Sequence, residues 1–133
     1  MKSRLQNLYE DFERAMMALE EGVSMAKSDL EVEGAIKRFE LCYELSWKLI
    51  KEALAFLGVV CKNPRECFKQ AYQNGLIENQ EAWLRMIEDR NELVHVYSFE
   101  GSREIFERVR KDYFGLFIHL KERVKGMLEG QDE

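Results

Sequence analysis

Apolar residues recur at three- and four-residue intervals from the start of the chain. Leu5, Leu8, Phe12, Met16, Leu19 and Val23 form the first such stripe, the mark of a helix with one buried face. Ser28 and Asp29 are cap-type residues and Gly34 follows, which predicts a turn over 28–34. A second helix is predicted from Val32 to Leu57, with Gly58 as its stop and a loop from Val59 to Asn63. Asn63 and Pro64 suit the N-cap and first position of a short helix, Arg65 to Gln73, which Asn74 and Gly75 end. A fourth helix is predicted from Asn79 to Tyr97, and Ser98 to Ser102 breaks the pattern. The last helix carries Ile105, Val109, Tyr113, Leu116, Leu120, Val124 and Met127, and the tail from Gly130 should fray. No strand-like alternation, repeat or linker competes. The expectation is one domain spanning 1–133, all-α, an up-and-down four-helix bundle with one additional short helix.

Composition narrows the function classes. The chain has 133 residues, 46% of them apolar and 34% charged, which is core material enough to exclude disorder. No long uncharged run is present, so no membrane span is expected. Charges recur from Lys2 through Glu13 where a secretory leader would need an apolar stretch. A soluble, cytoplasmic protein is the expectation. Cys42, Cys61 and Cys67 have no metal-site or framework spacing and are expected as reduced thiols. With only His95 and His119 as histidines, neither a metal site nor a cofactor is expected. The net charge of −5 argues against a sequence-independent nucleic-acid coat but leaves room for a local basic cleft. Phosphate-loop, HExxH and GxSxG motifs are absent.

Two helices depart from simple bundle patterning. In the second, Phe39, Tyr43, Trp47, Ile50, Leu54 and Leu57 cover one side, and Cys42, Leu45, Leu49, Ala53 and Phe56 widen the arc. That implies either a central helix or a second contact surface, and a self-association face giving a homodimer is the preferred reading. In the fourth, Trp83, Val94 and Tyr97 lie within about 40° of Arg90, with Met86 about 40° to the other side. Arg90 therefore sits inside an apolar stripe. A guanidinium keeps its charge, so it needs a carboxylate, a phosphate or a wet cleft. Glu40 and Glu44 of the second helix are the candidate partners for a purely structural ion pair.

The run from Asp89 to Tyr97 holds Arg90, Asn91, His95 and Tyr97. Asn91 and His95 are i, i+4 and share a helix face. An arginine can hold a phosphodiester and the charge that grows on it. Imidazole moves protons near neutral pH. Metal-free RNA cleavage through the 2′-hydroxyl wants both an acid and a base, and a symmetric dimer would supply two histidines to one cleft. The plain alternative for His95 is a boundary residue favoured at a helix C-terminus. Lys62, Arg65 and Lys69 form a small basic cluster that reads as a solvated face, and Trp47 and Trp83 read as core.

Arg90-Asn91-x-x-x-His95, late in a helix of a small all-α chain, resembles the R-x4-6-H motif of the HEPN (higher-eukaryote and prokaryote nucleotide-binding) domain family. Tyr97 extends it to the R-x4-H-x-Y form of the HepT-like branch. Arg38-Phe39-Glu40 with Glu44-Leu45-Ser46-Trp47-Lys48 is similar to the R-F-E…E-L-x-W-K helix of bacterial nucleotidyltransferase substrate-binding proteins. Asn63-Pro64-Arg65-Glu66, Ala71 to Ile77, Trp83 and Asp89-Arg90-Asn91 make a third block. The resemblance covers roughly Ile36 to Tyr113, and the order of three blocks is far more specific than the Arg/His pair. Leu93 and Val94 stand where relatives often carry small polar residues, which makes the site drier.

The resemblance implies a dimeric four-helix bundle with the motif beside the dimer interface. It implies a metal-independent endoribonuclease of a toxin–antitoxin pair, partnered by a minimal nucleotidyltransferase that silences it by transferring AMP to a tyrosine. By position, Arg90 and His95 would be catalytic and Tyr97 the modified residue, with RNA as substrate; Asn91, Glu40 and Glu44 are expected beside them as supporting residues. The alternative is a non-catalytic substrate- or nucleotide-binding subunit of a two-component nucleotidyltransferase.

Overall fold

In the computed structural model, residues 1–95 and 99–131 are described. Helix α1 spans Arg4–Met25 and α2 spans Asp29–Phe56. The turn between them is only 26–28, shorter than the sequence suggests, because Ser28 accepts from the Glu31 amide while Glu31 reaches back to Ser28. That reciprocal cap starts the helix ahead of Gly34, which becomes an interior residue. Helix α3 spans Pro64–Gln73 behind an Asn63 cap, and α4 spans Gln80–His95. Gly58 and Gly75 have φ of 85° and 78°, the left-handed stops expected after α2 and α3.

Of the expected break over 98–102, Ser98 lies outside the described residues and 99–102 are helical. Helix α5 begins at Phe99 and runs to Arg108, so Gly101 and Ser102 are helical. A π-helical turn, Val109–Tyr113, joins it to α6, Phe114–Gln131. Arg108 and Phe114 both have right-handed helical backbone, so the three pieces form one rod. Four long rods and the short α3 make the expected all-α bundle. None of the described helices is long and apolar enough to cross a membrane.

The α2 helix is the hub. It packs along α1 and also touches α3, α5 and α6. Cys42, Leu49 and Ala53 are fully buried inside this one chain. Much of the wide apolar arc of α2 is therefore consumed internally, while Trp47 is only partly covered and Phe56, 55% exposed, and Leu57 reach solvent. Centrality accounts for the buried part of the arc.

Aromatic rings tie the rods together. Phe39 stacks on Tyr113 at 5.8 Å, Phe12 meets Phe117 edge-on at 5.7 Å, and Phe68 packs against Trp83 at 4.9 Å. Each such pair adds about 1 kcal/mol to the area it buries. Arg38 is also structural: its Nη1 donates to the Ala18 carbonyl at 2.7 Å. Its stem lies over Gly22, where a Cβ would come within 3.1 Å of the Arg38 Cδ.

The cysteines correct the expectation of three free thiols. Cys61 and Cys67 form a disulfide, with Cα atoms 5.1 Å apart, and Cys42 alone is free and buried. The cause is local. The loop after Gly58 turns back so that Cys61 lies against the first turns of α3, although six residues separate the two in sequence.

Candidate functional site

Helix α4 delivers the sequence motif at its C-terminal end. Arg90 is half-buried, its side chain 34% exposed. Its guanidinium stands 5.7 Å from the centre of the Tyr43 ring on α2. Its Nη2 donates to Glu44 Oε1 over a long 3.4 Å. Its Nε is buried and has no hydrogen-bond partner among the described residues. Glu44 is shared, because its Oε2 accepts from the Trp47 indole Nε1 at 3.2 Å. Of the two carboxylates expected to face Arg90, only Glu44 does. Glu40 is half-buried with its oxygen 4.0 Å from Lys37 Nζ.

Burial pushes the Tyr43 phenol up to about 12; Arg90 opposes that rise and Glu44 adds to it. Arg65, at the start of α3, faces the same region and donates from Nη2 to Glu88 Oε1 at 2.9 Å. Asn91 and His95 are exposed, and His95 is the last residue of α4. Leu93 packs against the core while Val94 is 49% exposed. Tyr97 lies outside the described residues. Trp83 is buried in the core as expected. Trp47 departs from its expectation: it is only partly covered, and its polar edge belongs to the Glu44 contact.

A second charged cluster, beside the first, was not foreseen. Asp89 is buried, and Arg108 grips it with Nε at 2.7 Å from Oδ2 and Nη2 at 2.8 Å from Oδ1. The Tyr113 hydroxyl also donates to Asp89 Oδ2. Arg85 donates to that hydroxyl at 3.2 Å and to Asp112 at 2.9 Å. Burial, reinforced by the Asp89 bond, pushes Tyr113 up to about 12, and the Asp89 bond holds Arg108 above its ordinary value. The clamp locks the last rod to α4 one residue before Arg90. A signal existed: Tyr113 occupies a core stripe and its hydroxyl needs a buried partner.

Chemically, the Arg90 arrangement is an anion-handling one. A cation with one weak countercharge and an unused donor is open to solvent, and an imidazole stands five residues further along the same helix. No group of three or more His, Cys, Asp or Glu side chains suited to a metal is gathered among the described residues.

An all-helical bundle with a solvent-reached arginine on its fourth helix is a broad class. The comparisons make it specific. Residues 6–126 match the model of the family described as "Nucleotidyltransferase substrate binding protein like", and the chain belongs to that family. It is 27% identical over 86 residues to a probable ribonuclease HepT of Haemophilus influenzae, covering 61% of this chain and 59% of that relative. Among solved structures, a Thermus thermophilus protein is 30% identical with a TM-score of 0.73, over 88% of this chain and 98% of that one. A Haemophilus influenzae structure, described as revealing the fold of a substrate binding domain of a nucleotidyltransferase, superposes with a TM-score of 0.74 at 23% identity. It covers 88% of this chain and 98% of its own, and shares the fold. These relatives fit the HepT-like branch of the HEPN family.

Proposed function

We propose that this protein is a HepT-like toxin, a metal-independent endoribonuclease held in check by a minimal nucleotidyltransferase. The observation that carries the reading is the state of Arg90: a half-buried cation, open to solvent, with one long-bonded carboxylate and an unused Nε donor. The solvent-reached part of that guanidinium can hold a phosphodiester oxygen. In the reaction, the ribose 2′-hydroxyl gives its proton to a base and its oxygen bonds to the adjacent phosphorus. The bond from phosphorus to the 5′-oxygen breaks, and an acid protonates that oxygen. Arg90 stabilises the charge on the non-bridging oxygens. His95 serves as one of the two proton-transfer groups. The equivalent histidine of a second copy serves as the other, which makes a homodimer the working unit. Asn91, on the His95 face, and Glu44, behind Arg90, are supporting residues; Glu40 is assigned the same role by position alone.

Silencing follows the same logic. The Tyr97 oxygen attacks the α-phosphorus of ATP on the partner transferase, pyrophosphate leaves, and AMP remains on the tyrosine. The added phosphate then competes for Arg90 and the adenosine fills the cleft. A cytoplasmic setting suits an RNA substrate and an ATP-using partner. The second reading, a non-catalytic substrate- or nucleotide-binding subunit, is favoured by exposed Val94 beside His95 and by the description of the family.

RNA cleavage in EDTA tests the choice. Parent protein with an unmodified Tyr97 should cleave, and His95→Ala and Arg90→Ala should each lose at least a hundredfold in rate. Cleavage unchanged in His95→Ala, or none by the unmodified parent, moves the assignment to the binding subunit.

A further inference from the structure

We infer that the α2 face beside Arg90 is a binding track for single-stranded RNA, with the Trp47 indole as a base-stacking platform and Lys48 and Lys51 as phosphate contacts. The inference rests on the Arg90 reading above but adds a subsite outside the motif. Glu44, Trp47, Lys48 and Lys51 share one face of α2 by their three- and four-residue spacing. Glu44 and Lys48 are i, i+4 and would ordinarily pair. Here the Glu44 carboxylate is turned to Trp47 Nε1 at 3.2 Å and Arg90 Nη2 at 3.4 Å. Lys48 is left exposed, with no carboxylate within 4.0 Å among the described residues. Lys51 is exposed as well, its Nζ 6.0 Å from the Trp47 ring centre. The nearby Glu52 is already engaged by Arg4 at 3.1 Å. Two exposed lysines therefore flank a partly exposed indole.

The indole is also fixed in place. One carboxylate holds both Trp47 and Arg90, so a nucleotide whose phosphate sits on Arg90 has its neighbour's base within reach of the ring. An aromatic platform between cations suits an unpaired strand, because every base has a π-face and a duplex hides it.

The test uses the full-length His95→Ala protein, so that the probe is not consumed, and a short fluorescent RNA oligonucleotide. Trp47→Leu should weaken binding about tenfold or more, and Trp47→Phe, which keeps a ring but not the indole N–H, should bind within about threefold of the parent. Lys51→Gln should lower the slope of log affinity against log salt by about 0.7, as for one fewer phosphate on a single strand. A matching RNA duplex or a mononucleotide should bind far more weakly. Trp47→Leu binding like the parent, with its circular dichroism unchanged, overturns the track. So do a mononucleotide or duplex binding as tightly as the single strand, and an unchanged Lys51→Gln salt slope. Cleavage in EDTA is scored separately on the His95 protein. A protein that cleaves without Trp47-dependent binding loses only the track. One that binds through Trp47 without cleaving loses only the nuclease reading.

Discussion

Removing the Asp89 carboxylate should destabilise the fold more than removing any exposed charge. Its side chain is 9% exposed and accepts from Arg108 twice and from the Tyr113 hydroxyl once. Asp89→Ala leaves that hydroxyl proton without an acceptor and the guanidinium without its countercharge. Breaking a fully buried ion pair costs about 3–5 kcal/mol. Arg108 is 34% exposed and can turn partly to water, which lowers the figure to about 3 kcal/mol. For a chain of this size that is on the order of 10 °C in Tm. Urea unfolding of Asp89→Ala, Arg108→Met and the double variant reads it directly. The double variant should cost little more than Asp89→Ala, because the second change removes a cation already stranded. An Asp89→Ala loss under about 1 kcal/mol, or strict additivity in the double variant, would refute the clamp as a structural lock.

Three further outcomes follow from other contacts. Stability should fall steeply with alkalinity: burial raises Cys42 from 9.0 to about 12 and Tyr43 and Tyr113 from 10.0 to about 12. The unfolded chain therefore loses these protons first, and the stabilisation present below about pH 9 disappears between there and pH 12. At three protons the slope reaches about −4 kcal/mol per pH unit, measurable as a drop in urea midpoint. Reducing the Cys61–Cys67 bond should cost about 2 kcal/mol for so short a loop, seen as a lower Tm in a thiol reductant that Cys61→Ala/Cys67→Ala does not share. Glu44→Gln should change stability by less than about 1 kcal/mol, since both partners of the pair are more than a third exposed, yet tighten oligonucleotide binding several-fold by freeing Arg90.

Much of the architecture was legible because helix signals are local. Asn63-Pro64 and Asn74-Gly75 bracket α3 where their backbone chemistry says they must. The helix over 99–102, where a break was expected, has a local cause too: Gly101 and Ser102 are weak helix formers, and packing of Ile105 and Phe106 overrides them. Pairings between distant helices were less accessible. Periodicity put Arg90 in an apolar stripe, but it offered Glu40 and Glu44 equally. Only the rotation of α2 against α4 brings Glu44 across and leaves Glu40 beside Lys37. The Cys61–Cys67 bond depends on the path of a loop that no periodicity describes. The Asp89–Arg108 pair needed the rotation of α5 against α4, which periodicity leaves open.

That turn governs which length changes the chain can absorb. The Phe114 amide reaches back to the Val109 carbonyl, one residue further than in an α-helix. Val109–Tyr113 thus stores a spare residue inside an otherwise regular rod. Deleting one residue there leaves enough chain to close an ordinary α-turn, so the backbone itself survives. The gearing of the two halves survives as well. Phe114 already stands over Val109 where an α-turn would place its fourth residue, so Phe117, Leu120 and Val124 keep facing the centre, whereas a deletion within the regular part of α5 or α6 would rotate everything beyond it by about 100°. The same deletion made after Leu128 would disturb only the last turn. The rod therefore has an interior point where a one-residue edit in chain length spares the facing, and it lies against the residue next to Arg90.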